Sequence, residues 1–197
     1  MDFEFWKDYI LENDLVQLIP LEEKHREDLL PFSLHEPELW KYSLLGAEGE
    51  ENLKKYIDFA ITSRNHGTAY PFVVWDKKTG RFAGSTRFYD ISLSQKTLSI
   101  GFTWYGKDFQ GTGLNKACKY LLLEFAFEKM GMERVEFRAD ARNLRSLAAM
   151  KSIGCTMEGT LRSNGIGNDG GRRDSAVLSI LKREWEGKIK TGLALKF

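Results

Sequence analysis

The sequence predicts one mixed α/β (α+β) domain, with a mostly antiparallel central sheet of about seven strands and four flanking helices. Three observations lead there. The hydrophobic period switches repeatedly between helical and strand spacing along the chain. Glycine and asparagine stand where those segments stop. Finally, the 197 residues are 42% hydrophobic, 13% aromatic and 29% charged, with no repeat, low-complexity tract or Pro/Ser-rich linker to divide them. A single domain over 1–197 is expected, with its core at roughly 14–182.

Leu15 to Pro20, "LVQLIP", reads as a short first strand. Leu21 to Leu34 and Glu48 to Arg64 are expected as amphipathic helices; in the second, Leu53, Tyr56, Ile57, Ala60 and Ile61 share one helical face. The period then becomes two. Tyr70 to Trp75 is a strand whose Pro71 belongs near its start or at an edge. Asp76-Lys77-Lys78-Thr79-Gly80 turns the chain, Phe82 to Ile91 returns it, and Ser92 to Lys96 turns it again. Thr97 to Tyr105 alternates, which predicts Leu98, Ile100, Phe102 and Trp104 on one face and Thr97, Ser99, Gly101 and Thr103 on the other. Leu114 to Met130 carries an apolar stripe so wide that the helix must be mostly covered, and Gly131 stops it. "ERVEFRAD" (Glu133 to Asp140) alternates as a strand, and Asn143 caps a helix bearing Leu144, Leu147, Ala148, Met150 and Ile153. Cys155 to Leu161 and Ser175 to Leu181 are the last strands. Between them lies a Gly-rich loop, "RSNGIGNDGGRR", with Arg172 and Arg173 expected in solvent.

Charge and composition narrow the function classes. Lys+Arg 29 against Asp+Glu 28 leaves no global field to attract nucleic acid or anionic lipid. No apolar run approaches the roughly 20 residues of a membrane span. The start, "MDFEFWKDYILEND", is acidic and aromatic, unlike a signal peptide. Cys118 and Cys155 lie in apolar periodic segments without metal spacing, so they are expected as buried free thiols in a reducing compartment, by default the cytoplasm. His25, His35 and His66 show no ligand spacing, and no metal site is expected.

The informative stretch is Ile100 to Lys116, "IGFTWYGKDFQGTGLNK", where a strand meets glycines and then a helix. Gly101 to Asp108 partly matches a nucleotide P-loop, but Asp108 replaces the Mg²⁺-binding hydroxyl and bulky Phe102, Trp104 and Tyr105 fill the cradle. A dinucleotide fingerprint fails because Lys116 stands where the third glycine belongs. What remains is an anion site: free N–H groups at a helix start, with Gly111 and Gly113 letting backbone approach phosphate. A plain glycine turn capping a core helix is the bland counterpart. Gln110-Gly111-Thr112-Gly113-Leu114-Asn115 resembles the pyrophosphate-binding signature of the GCN5-related N-acetyltransferases, Q/R-x-x-G-x-G/A, with Asn115 departing from the usual small residue. The strand, helix, strand, capped helix and two strands around it follow the order that family requires. The likeness is greatest to the RimJ/RimL-type branch, through Asn143-Leu144-Arg145-Ser146, "IGCTMEGTLR" (Ile153 to Arg162) and "DGGRRD" (Asp169 to Asp174).

That resemblance implies an acetyl-CoA-dependent N-acetyltransferase acting on a primary amine, either a protein N-terminus or a small molecule, by direct attack in a ternary complex. It implies strands splayed at the acetyl-CoA site, a diphosphate held by Gln110 to Asn115, and pantetheine contacts from the backbone of Phe102, Thr103 and Trp104 and from Asn143 and Ser146. Where relatives place a tyrosine acid this chain has Met150, so Ser146 inherits the role of proton donor to the leaving thiolate. Where relatives carry a glutamate base it has Ser99, which leaves a water chain, Asp140 or Glu158, with Asp140 the better choice and a turn-forming role its structural alternative. Trp6, Trp40 and Tyr42 fall where the family shapes the acceptor pocket, as core or as lid. The missing Tyr and Glu motivate a second reading, a non-catalytic acyl-CoA-binding or scaffold protein. A homodimer is the common assembly for such chains.

Overall fold

The structure is a computed structural model describing residues 3–197, so Met1 and Asp2 of the expected domain and of its acidic N-terminal segment lie outside the described residues. In chain order the elements are β1 (Leu11–Glu12), β2 (Val16–Pro20), α1 (Arg26–His35), α2 (Glu50–Asn65), β3 (Ala69–Asp76), β4 (Arg81–Ser92) and β5 (Thr97–Tyr105). Then follow α3 (Leu114–Glu124), prolonged by a π turn (Phe125–Lys129), β6 (Arg134–Asp140), α4 (Leu144–Ser152), β7 (Thr156–Ile166) and β8 (Arg172–Leu181). A C-terminal helical segment runs through α5 (Lys182–Glu184), a π turn (Trp185–Ile189) and α6 (Lys190–Ala194).

One eight-stranded sheet runs β1-β2-β3-β4-β5-β6-β8-β7. Every pairing is antiparallel except β5 with β6. The expected sheet of about seven strands thus gains β1, two residues too short to show a period. The C-terminal segment was also missed; Trp185, fully buried, stacks on Phe127 and donates from its indole to Glu128 at 2.8 Å, which locks the segment onto α3.

Two expectations need correction. The Gly-rich stretch after Leu161 is not a long loop: Gly165 pairs with Arg173 and Ile166 with Arg172, leaving a tight turn closed by the Gly167 N–H on the Gly171 carbonyl at 2.9 Å. Asp174 accepts from the Ser163 N–H at 2.7 Å, so polar side chains carry the ladder where apolar periodicity fades. Arg173 is consequently buried rather than solvated, donating to the Tyr42 carbonyl and to Ser175 Oγ, both at 3.1 Å.

The alternation of β5 breaks as well. Leu98 and Ile100 do share a face, but Phe102 and Trp104 are on the other. Ile100 stands opposite Phe88, whose ring stacks on Phe125 at the end of α3. Trp104 instead packs against Phe32 of α1 and Trp40, and Phe102 lies near Phe59 of α2. The cause is a bulge: the ladder passes from Arg87–Gly101 to Ser85–Trp104, so Thr86 opposes two residues, and Phe102 takes a φ of 49°. One extra residue reverses the parity of everything after it. Thr103 therefore faces α3.

Candidate active site

β5 and β6 pair only at Thr97–Arg134, Leu98–Val135 and Ser99–Glu136. Beyond Ser99 they part, because β6 continues along β8 as far as Asp140–Ser175 while the bulge turns β5 away. The backbone of β5 from Ile100 onward therefore presents an edge with no strand beside it among the described residues. Gly84 on β4 permits this geometry. With φ of 155°, a Cβ there would lie 2.0 Å from the Trp104 carbonyl oxygen. The bulge is secured from both faces: the Tyr56 hydroxyl of α2 donates to the Phe102 carbonyl at 3.0 Å, and the Lys119 ammonium of α3 donates to Thr103 Oγ1 at 2.8 Å.

The glycine loop lies at the open end of that gap. Gly111 has φ of 76° and Gly113 φ of 92°, conformations that cost a side-chain-bearing residue free energy. Space beside Gly111 is open; a Cβ would meet nothing within 4 Å. Thr112 Oγ1 donates to the Phe109 carbonyl at 2.9 Å and holds the turn. The first N–H groups turned into the helix are those of Lys116 and Ala117, on the Gly113 carbonyl. The amides of Gly111, Thr112, Gly113 and Asn115 have no acceptor among the described residues, and that of Leu114 has only Thr112 Oγ1 at 3.4 Å. Free N–H groups at the positive end of an 11-residue helix form an anion cradle.

Gln110 ties the cradle to its surroundings. Its amide nitrogen donates to the Tyr105 carbonyl at 2.8 Å, and its oxygen accepts from the Arg145 guanidinium on α4. The start of α4 is thereby held toward the loop. Asn143 is the expected N-cap, accepting from the Ser146 N–H at 3.0 Å. Ser146 is half-buried, and its hydroxyl has no partner among the described residues. Met150 is buried.

The two carboxylates considered as bases are both engaged. Asp140 is buried, with Arg142 Nε on Oδ1 at 3.0 Å and Nη2 on Oδ2 at 2.8 Å; that hydrogen bonding holds its carboxyl below the usual range. Glu158 is paired with Arg134, which pulls its pKa down to about 2. A groove of about 210 Å³ opens where β5 and β6 still pair, lined by Asp90, Thr97, Ser99, Arg134, Glu136 and Arg138. A larger surface groove of about 440 Å³, between α1 and the β3–β4 turn, shares none of these residues. Trp40 is buried core, Trp6 is exposed and Tyr42 is half-buried. The thiols of Cys118 and Cys155 are buried, and burial pushes each up to about 12. Of the histidines, His25 is buried and accepts from the Glu22 N–H at 3.0 Å, a structural role; His35 and His66 are exposed.

Sequence reasoning passed over three groups here. Glu136 stands directly beside Ser99 across the parallel pair, held by Arg134 at 2.8 Å and Arg138 at 2.7 Å. Arg87 and Lys119 are buried cations on β4 and α3. For Lys119 the available signal was a charge inside an otherwise apolar stripe, "LNKACKYLLL"; "GSTRFYD" gives no such signal for Arg87.

A strand gap beside a glycine-opened helix start matches a known domain. Residues 16–156 fit the family model described as the acetyltransferase (GNAT) domain. The chain belongs to the GNAT acetyltransferase family. GNAT relatives include the Bacillus subtilis (strain 168) protein YdaF, named provisionally as a ribosomal N-acetyltransferase, which is 33% identical over 109 residues. That match spans 55% of this chain and 58% of YdaF. A crystal structure from T. thermophilus, described provisionally as an acetyltransferase, superposes with a TM-score of 0.85 at 32% identity, over 95% of this chain and 96% of that one. The RimJ of Mycobacterium smegmatis, solved with CoA-disulfide, shares the GNAT fold at a TM-score of 0.79 over 97% of this chain and 95% of that one, with 20% identity. No helix among the described residues is long and apolar enough to cross a membrane.

Proposed function

We propose that this protein transfers the acetyl group of acetyl-CoA to a primary amine by direct attack within a ternary complex, the acceptor being a small molecule or a protein N-terminal amine. The observation that carries this reading is the row of amides at 111–115, of which only that of Leu114 has an acceptor among the described residues, opening beside the free edge of β5. Acetyl-CoA supplies an activated thioester. Its fit is supported by the open space at Gly111 and by the absence of acidic side chains from the first turn of α3.

Each residue then has a physical task. The amides of Gly111 to Asn115 (with Thr112, Gly113 and Leu114 between) would hold the diphosphate, and Lys116 adds a cation in the same turn. Gln110 and Arg145 fix the loop against α4. The unpaired edge of β5 at Phe102, Thr103 and Trp104 offers main-chain groups to the pantetheine amides and to the thioester oxygen. Asn143 positions Ser146 through its cap bond, and the unengaged Ser146 hydroxyl gives a proton to the departing thiolate. Asp140, held ionised by Arg142, is a weak base and contributes chiefly by fixing the turn before α4. The ammonium proton of the acceptor leaves through the polar groove at Ser99 and Glu136.

Titration of the protein with acetyl-CoA in a calorimeter, followed by thiol release with a panel of amines, tests the proposal. Binding together with thiol release is expected. Binding with no release on any amine would instead support the non-catalytic reading, and loss of both would remove the acetyl-transfer reading.

A further inference from the structure

The central strand β4 carries a charge that the acetyl-transfer chemistry leaves unused. Arg87 is 1% exposed, and none of its three guanidinium nitrogens has a hydrogen-bond partner among the described residues. Its surroundings are aromatic. The ring of Phe102 lies 4.1 Å from the guanidinium carbon, that of Tyr56 at 4.7 Å and that of Phe59 at 5.7 Å. Ring faces attract a cation, yet they offer no lone pairs to its five in-plane N–H donors. Of the carboxylates bordering the strand gap, Glu136 is committed to Arg134 and Arg138 and Asp140 to Arg142, and none, Asp90 of the polar groove included, pairs with Arg87 among the described residues. A buried charge in this condition is costly to the fold, and a ligand that pairs with it recovers that cost on binding.

Its position fits the acceptor side of the reaction. Arg87 stands directly opposite Gly101, and two pairs further along Tyr89 faces Ser99, so all four share the α2 face of the sheet where the gap opens. Phe102, the bulge residue, covers the guanidinium from the mouth of that gap. Of the three enclosing rings, Phe59 is the exposed one at 49% and lies farthest from the guanidinium, so solvent comes closest to the charge on that side.

We infer that Arg87 is the anion-recognition residue of the acceptor site, and that the amine acetylated here carries an oxyanion, a carboxylate or a phosphate, a few bonds from its nitrogen. A planar guanidinium pairs two N–H groups with either anion, which fixes the amine relative to the β5 edge. A neutral amine leaves the charge unpaired, and a polycationic amine is repelled by it. The inference rests on the acetyl-transfer reading and names the substrate class for the same site.

Matched pairs of acceptors test it: amino acids against their amides, and phosphoethanolamine against ethanolamine, each with acetyl-CoA, on the wild type and on Arg87→Met and Arg87→Lys. The acids or the phosphorylated amine should exceed their uncharged partners by about 100-fold in kcat/KM, on the order expected for a buried ion pair. The better of the two arms says whether carboxylate or phosphate is the natural anion. Arg87→Met should remove that preference through KM, and Arg87→Lys should restore part of it. Acetyl-CoA affinity by calorimetry should be unchanged in both variants, and the Tm of Arg87→Met should be equal or higher because an unpaired charge is gone. Equal use of charged and uncharged amines, or no use of either by a protein that binds acetyl-CoA, overturns the inference and leaves the cofactor assignment standing. A lower Tm with uniform loss on all amines overturns it too, by making Arg87 structural. Failure of the wild type to bind acetyl-CoA removes the underlying reading instead.

Discussion

Lys119 gives a quantitative test of how the bulge is held. It is 5% exposed on α3, and burial lowers its pKa from 10.5 to about 8. Below pH 8 the folded and unfolded chains both carry the proton, and above 10.5 neither does. Between these limits only the unfolded chain binds it, so stability rises with pH across the window, by about 3 kcal/mol in all. The same quantity is missing at neutral pH. Lys119→Met recovers it there but loses the bonds to Thr103 Oγ1 at 2.8 Å and Thr86 Oγ1 at 3.3 Å. At about 1 kcal/mol each these offset some 2 kcal/mol, and neither hydroxyl is orphaned, since the two lie 2.7 Å apart. The variant should be more stable by about 1 kcal/mol at pH 7, a Tm rise of about 2–4 °C. By pH 10 the difference should change sign. Urea unfolding of both proteins at pH 7, 8, 9 and 10 measures this directly. A difference that stays constant over the series would refute the account of Lys119 as a charge forced into the core.

Three further outcomes follow from the site. Gly111→Val should raise the Kd for acetyl-CoA at least tenfold, because a side chain enters the phosphate approach, while its φ of 76° costs about 1–2 kcal/mol of stability; calorimetry and thermal melting separate the two effects. Ser146→Ala should lower kcat by about 100-fold with acetyl-CoA affinity intact, since the hydroxyl is asked for one proton transfer; stopped-flow thiol release reads it. In Gly84→Ala the new Cβ would lie 2.0 Å from the Trp104 oxygen, so β4 and β5 must separate. Loss of about 3 kcal/mol or more by urea unfolding is expected, and a neutral result would contradict the close strand approach.

Much of this was legible in the sequence because it is local. Period two located β3 through β6 within a residue or two, Asn143 did cap α4, and the two glycines marked the opened start of α3. The face assignment of Phe102 and Trp104 failed because no local preference of "GFTWY" reports a bulge. The positive φ at Phe102 is imposed from outside, by Tyr56, by Lys119 and by the contact at Gly84. Arg173 was misread for a similar reason. Charged residues in a Gly-rich run predict solvent, and only the hairpin's ladder and the Tyr42 carbonyl bury this one. Asp140 is the better base by sequence with a turn-forming role as its alternative, and its availability depends on Arg142, whose side chain folds back over two residues to engage both carboxylate oxygens.

By itself, then, the sequence determined the order of the elements from β2 to β8 and the backbone freedom at Gly111 and Gly113, since periodicity, capping and φ preference act over a few residues, but not the short β1, the C-terminal helical segment or the full length of the β7–β8 hairpin. Tertiary structure decided which groups the strand gap gathers. Pairing of β6 with β8 draws it away from β5, and a bulge bridged by two helices turns side chains that alternate in sequence onto opposite faces. Placing Arg87 and Lys119 in the interior on either side of that bulge required the whole sheet, because burial of a charge depends on every element packed around it.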